Sequence, residues 1–243
     1  MQIDIITLFP EMFAPLFTSI PAQAQKKGLL ELRLIDLRSY GTGRHYQTDD
    51  VPYGGGCGMV MQPEPLSRAI KYADSDPEKP AHVISLSPQG QNFTQKKAEE
   101  LAALPHLTMI CGHYEGIDER ILQKYVHEEI SVGDFVLSGG ELASMIVADA
   151  VVRLIPGAID AQSAAEESFS SGILDHPHYT RPEVFEEMAV PPVLLSGDHK
   201  KIALWRRRQA LLATARKRPD LLASYPLSQE DKKLLKEEGF SLS

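Results

Sequence analysis

Hydrophobic positions open the chain as one dense run, Gln2 to Leu8, rich in isoleucine; this predicts a buried strand that Pro10 ends. Glu11 to Phe17 and the stretch before Gly28 read as short helices. Leu30, Leu32 and Leu34 then alternate with Glu31 and Arg33, as on a half-exposed strand. Residues 39–62 lose all periodicity and carry GTG, GGG and many polar side chains, a long loop of the kind compact domains keep for a use. From Pro63 the apolar residues Leu66, Ala69, Ile70 and Ala73 recur at helical spacing, and proline suits the first helical turn because its missing N–H is not needed there.

Three units of one grammar follow, each a short apolar strand, a glycine-containing loop and a helix. They are His82 to Leu86 with SPQGQ and a helix from Thr94 to Leu104; Leu107 to Cys111 with GHYEG and a helix from Asp118; and Glu129 to Val132 with GDFVLSGG and a helix from Glu141 to Leu154. Repeated βα units predict a mostly parallel α/β sheet, whose post-strand loops gather at the carboxyl edge where ligands bind. One pocket collects all three loops. Residues 158–171, AIDAQSAAEESFSS, are too poor in large apolar groups to order themselves and read as a flexible linker. After it, DHPHYTRP leads into a helical tail with Ile202, Leu204, Trp205, Leu211 and Leu212. The expected domains are therefore 1–157, a linker 158–171, and a small all-helical domain 172–243.

Composition narrows the class. With 243 residues, 43% hydrophobic and 24% charged, the chain reads as globular, and no apolar run approaches the roughly 20 residues of a membrane span. The start, MQIDIITLFP, has Asp4 where a secretion signal carries positive charge, so it reads as folded domain. Cys57 and Cys111 fit no disulfide framework or zinc spacing, which makes a reducing cytoplasm the default compartment. A net charge of −8 counts against nucleic-acid binding by bulk charge, but residues 198–219 carry eight Lys or Arg against the single acid Asp198 before Asp220. That local patch suits a polyanion, or is a solvated face.

Several motifs admit two readings. YGGGCGM, Tyr53 to Met59, lacks both P-loop and Rossmann spacing, and is either a structural multi-turn or a place where a flat ligand meets bare backbone. His176 and His178, beside Asp175, lack a further ligand in the local sequence, so no metal site is expected. Arg153 either pairs with Asp149 one turn earlier or serves chemistry, and the acidic pair Glu166 and Glu167 is either solvated charge or catalytic. A nucleophilic Cys57 lacks an ordered His and acid pair nearby.

LFPEMF, YGGGCGM, LSPQG, CGHYEGIDER, VGDFVLSGGE, RLIPG, LDHPHYTRP and VPPVLLSG, in this order and spacing, closely resemble the bacterial tRNA (guanine-N1)-methyltransferase family. The resemblance spans essentially the whole chain. It implies a SPOUT fold, an N-terminal α/β domain with a deep C-terminal trefoil knot, a flexible linker and a helical C-terminal domain, working as an obligate homodimer on tRNA. It further implies that S-adenosylmethionine lies in the three loops already grouped. Leu86, Pro88, Gly112, the run Val132, Gly133, Asp134, Phe135, Val136 and Leu137, then Gly139 and Gly140, would enclose it, with Glu115 accepting a hydrogen bond from its amino or hydroxyl groups. Assistance by Mg2+ is not legible.

The substrate implied is the guanosine immediately 3′ of the anticodon, methylated at N1 when another guanosine precedes it. That nitrogen is neutral and protonated, so transfer needs a base for its proton and a cation or donor for the charge growing on O6. Arg153 matches the family's arginine near O6. The family's base is an aspartate before a Ser-Phe pair, whereas this chain has Glu167 before Ser168 and Phe169. Glutamate keeps the carboxylate and nearly the same basicity while adding a methylene of reach. His113 stands where some members carry arginine and receives no catalytic role. The competing readings are a non-catalytic RNA-binding protein using the basic tail and a nucleotide hydrolase, the latter disfavoured by the lack of a P-loop or activated nucleophile.

Overall fold

The computed structural model describes residues 1–160 and 167–240. The chain divides into two compact units, Met1–Ala161 and Gln162–Ser243.

In the first unit β1 (Gln2–Thr7) leads through a 3-10 turn (Pro10–Phe17) and α1 (Ser19–Lys26) to β2 (Glu31–Asp36). The long polar loop holds one small hairpin, β3 (Asp49–Asp50) with β4 (Val60–Met61), before α2 (Pro63–Ala73). Then come β5 (His82–Asn92), α3 (Gln95–Ala102), β6 (His106–Cys111), α4 (Glu119–Tyr125), β7 (Glu128–Ser131) and α5 (Glu141–Leu154). The sheet runs β2-β1-β6-β5-β7 and every pairing in it is parallel. Every residue of the central strand β6 is buried, as expected of a parallel strand covered on both faces. On one face Ile3, Ile5, Ile84 and Met109 pack with Val147 and Val151 of α5; on the other Ile6, Val83 and Ile110 pack with Leu66 and Ile70 of α2.

The expected SPQGQ loop is different in kind. The backbone stays extended to Asn92, and Leu86 and Gln91 both stand opposite Ile130, so residues 87–90 bulge out of the register. Gly90 makes this possible, since a Cβ there would lie 2.4 Å from the Glu129 carbonyl carbon and the Ile130 nitrogen.

In the second unit a two-strand hairpin, β8 (Val184–Phe185) and β9 (Met188–Ala189), is the exception to the all-helical expectation. It precedes α6 (Pro192–Leu195), α7 (His199–Lys217), α8 (Pro219–Ser224) and α9 (Gln229–Glu237). Ile173, Leu211, Leu212, Ala215 and Leu235 form the core. Asp198 caps α7 by accepting from the Lys200 and Lys201 N–H groups, and Ser228 with Asp231 forms a capping box on α9.

The span read from composition as a linker, 158–171, is ordered at both ends. Ala158 is buried in the first unit's core. Residues 167–175 form a turn in which the Phe169 N–H donates to the Ile173 carbonyl and the Asp175 N–H to Ser168 Oγ. Ile173 and these hydrogen bonds supply the ordering that small side chains alone do not. Residues 161–166, Glu166 among them, lie outside the described residues. Among the described residues no helix is long and apolar enough to cross a membrane.

Candidate active site

Because β6, β5 and β7 are neighbours, the chain leaving their carboxyl ends converges, and there a cleft of about 450 Å³ opens. The first stretch contributes Leu86 and Pro88, the second Gly112 and Glu115, the third Val132, Gly133, Phe135, Val136 and Leu137 followed by Gly139 and Gly140. Asp134 is the one residue of the expected set that does not line the cleft. The Phe135 N–H donates to the Gly133 carbonyl at 2.9 Å, a turn that leaves Asp134 exposed at its tip.

The cleft floor is made of backbone in contact with backbone. The Gly140 N–H donates to the Gly112 carbonyl at 2.9 Å, and a Cβ on Gly140 would lie 2.7 Å from the Cys111 Cα. Cys111 is sealed beneath; burial pushes its thiol well above the ordinary range, the charge on Glu141 adds to this, and the contact with Ser144 opposes it only in part.

Glu141, which the sequence reading did not single out, stands behind the cleft wall and holds His113, which had been given no catalytic role. Glu141, at the start of α5, is almost fully buried; it accepts from the Thr7 hydroxyl at 2.7 Å, and its other oxygen lies 2.7 Å from His113 Nε2. His113 lines the cleft, wedged where a Cβ on Gly139 would come within 2.2 Å of its ring, with the Phe9 ring tilted 60° against it at 5.1 Å between centroids. Thr7 and Glu141 are 134 positions apart, so no local pattern announces this pair.

The glycine-rich YGGGCGM takes its structural reading here. Gly58, at φ +87°, meets the Glu115 side chain so closely that a Cβ would lie 2.4 Å from Oε1, and the Glu115 N–H donates to the Met59 carbonyl. The loop thus holds the GHYEG turn, and with it Glu115, at the cleft edge.

Arg153 is not in the cleft lining. Arg153 lies in the last turn of α5, twelve residues beyond Glu141, or about 18 Å along the axis. Glu167 belongs to the second unit, where its carbonyl accepts from the Ser170 N–H and begins the 167–175 turn.

Comparison with known proteins bears on this geometry. The family described as tRNA (Guanine-1)-methyltransferase TrmD matches residues 1–224. The chain belongs to that family. Relatives in Bacillus cereus (strain AH820), Bacillus anthracis (strain A0248) and Bacillus thuringiensis subsp. konkukian (strain 97-27) are each 52% identical over 239 residues, covering 98% of both chains. Each is named tRNA (guanine-N(1)-)-methyltransferase.

For a family whose substrate is RNA, the state of the basic tail matters. Arg207 makes a forked pair with Asp231, Arg208 pairs with Glu238, Arg218 with Asp220 and Lys201 with Asp198. The eight-to-one count along residues 198–219 therefore overstates the positive charge, because Asp220, Asp231 and Glu238, all beyond the segment, pair with its arginines. Lys200, Arg216 and Lys217 stay exposed.

Asp175, seen beside His176 and His178 in the sequence, approaches both rings. The Asp175 carboxylate lies 2.8 Å from His178 Nε2 and 3.7 Å from His176 Nε2.

Proposed function

We propose that this chain transfers a methyl group from S-adenosylmethionine to N1 of the guanosine immediately 3′ of the anticodon in tRNA, as a homodimer in the cytoplasm. The observation that carries the reading is the cleft: three chain segments meeting at the parallel sheet's carboxyl edge, in a chain of the tRNA (guanine-1)-methyltransferase family. Its residues fit the donor. Leu86 and Leu137 offer apolar walls for an adenine ring, bare glycine backbone supplies N–H and C=O groups to its edge, and Glu115 is placed to accept from an amino or hydroxyl group. When bound, that donor supplies a methyl group on a positively charged sulfur.

The protein's own residues perform the rest. Glu167 takes the N1 proton as the nitrogen acquires its methyl group, and the Arg153 guanidinium stabilises the negative charge developing on O6. Arg153 stands about 18 Å along α5 from the residues that edge its own cleft, so it serves the cleft of a second copy. Surface chemistry supports that pairing: Leu142 and Ile146, one turn apart on α5, are half exposed, as are Met12 and Phe17 on the 3-10 turn packed against it. The trefoil knot belongs to the same proposal; its support is the tight passage of backbone past backbone at Gly90 and Gly140.

Single-turnover transfer of labelled methyl to tRNA tests the assignment. Glu167→Gln is expected to lose roughly 10²-fold or more in rate, and Glu167→Asp to keep activity. An unchanged rate in Glu167→Gln removes Glu167 from the mechanism. Transfer that persists when the target guanosine is replaced by adenosine refutes the acceptor, and failure to bind donor favours a non-catalytic RNA-binding protein.

A further inference from the structure

We propose that Asp175, His176 and His178, in the second unit, form a binding site for a divalent transition metal of the zinc, nickel or cobalt class. The ligand atoms of the three residues all lie within 4.8 Å of one another. His178 Nε2 stands 2.8 Å from Asp175 Oδ2, His176 Nε2 3.7 Å from Asp175 Oδ1, and the two imidazole centroids are 4.5 Å apart.

The hydrogen bond on the far side of His176 decides what its Nε2 can do. Nδ1 lies 3.1 Å from the Pro177 carbonyl oxygen, which can only accept, so Nδ1 carries the proton and Nε2 of the neutral ring presents a lone pair. That lone pair faces a carboxylate oxygen at a separation too long for a hydrogen bond. That same oxygen accepts from the His176 main-chain N–H at 2.6 Å, which fixes it facing the ring, and a cation between them would be held by both atoms. An imidazole that donates its other N–H to a carbonyl is also the form in which histidine ligates metal.

The set is preorganised. All three ligands come from four consecutive residues stiffened by Pro177, and the Asp175 N–H is held by Ser168 Oγ at 3.0 Å. The His176 ring is largely buried beside Trp205, at 6.3 Å between centroids. Metal bonds of about 2.0–2.2 Å require ligand atoms about 3.0–3.5 Å apart, so modest closure suffices. His178, 71% exposed, is the member free to swing. Two imidazoles with one carboxylate select zinc, nickel or cobalt over magnesium and calcium, which take oxygen ligands, and the exposed side of His178 leaves a coordination position open to solvent. Occupancy would replace the Asp175–His178 hydrogen bond with metal bonds that also engage His176, and would stiffen the turn that begins at Glu167.

Trp205 is the single tryptophan of the chain, and it stands next to His176, so paramagnetic Ni2+ or Co2+ bound here quenches its fluorescence. The full chain, free of any histidine tag and stripped with chelator, is titrated with Ni2+ in the presence and absence of excess Mg2+. The expected result is saturable quenching that Mg2+ does not displace. Its midpoint should rise about tenfold or more in His178→Ala, an exposed position whose loss leaves the circular dichroism unchanged. His176→Ala should behave alike. Hydrogen exchange over residues 168–176 should slow when Zn2+ is added to the wild type and not to His178→Ala. An absence of quenching in the wild type, displacement by Mg2+, or a midpoint that stays at the wild-type value in both histidine variants overturns the site.

Discussion

Gly140 has no room for a methyl group: its Cβ would fall 2.7 Å from the Cys111 Cα and 2.9 Å from the Gly112 nitrogen, both main-chain atoms that cannot rotate away. Gly140→Ala is therefore expected to destabilise the first unit by about 1–3 kcal/mol through overpacking and to weaken donor binding. Urea unfolding and calorimetry with S-adenosylmethionine measure the two effects. At the same scale the two thiols part company. Cys57 is exposed while Cys111 is buried with its thiol pKa raised, so iodoacetamide should modify only Cys57 in the folded chain and reach Cys111 only on unfolding. Mass spectrometry of the native and denatured reaction decides it. A pair of glycines is visible in any sequence, but which backbone they must pass is not.

At the scale of elements, α7 shows how a helix gains partners from outside its own pattern. Its C-terminal half buries Ala210, Leu211, Leu212 and Ala215, while Arg207 reaches both Asp231 on α9 and the Tyr225 hydroxyl. Burial works against ionising Asp231, but the Arg207 fork and the Ser228 N–H outweigh it and hold its pKa below the ordinary aspartate range. A folded-state pKa below the unfolded one means that the stability it confers is present above about pH 3.9 and is lost as pH falls through the lowered value. Asp231→Asn should consequently be less stable than wild type at pH 7 by about 1–3 kcal/mol, with the two converging in acid. Trp205 fluorescence during urea unfolding follows this unit.

At the scale of the whole molecule, the role proposed for Arg153 requires a cleft other than the one in its own chain, which it does not line. If α5 pairs with a second copy, placing arginine at Leu142 and Ile146 together should yield a monomer of 26.9 kDa by light scattering and abolish methyl transfer, while thermal stability of the fold survives. A wild-type chain that already runs at that mass defeats the dimer. At this scale the two flanks of residues 158–171 make contacts that composition does not announce: Ala158 in the first core, and residues 167–175 through Ile173 and Thr214, whose Oγ1 accepts from the Leu174 N–H.

Periodicity along the chain and the repeated strand-loop-helix order were enough to specify the parallel sheet, α2 with its buried face, the helix α5, and the three segments that share one edge. Those signals are local, since apolar residues at a spacing of two or near 3.6 bury one face wherever the element goes. Motif order was enough for the family. Tertiary structure alone decided that Gln91 and Asn92 rejoin β7 after a bulge, that Asp134 turns away from the cleft, that Glu141 locks His113, and that Asp231 and Glu238 mask cations of α7. Each of these depends on close approach or charge pairing between groups that the turns and crossings of the chain bring together, and topology, rather than any spacing in the sequence, sets those distances.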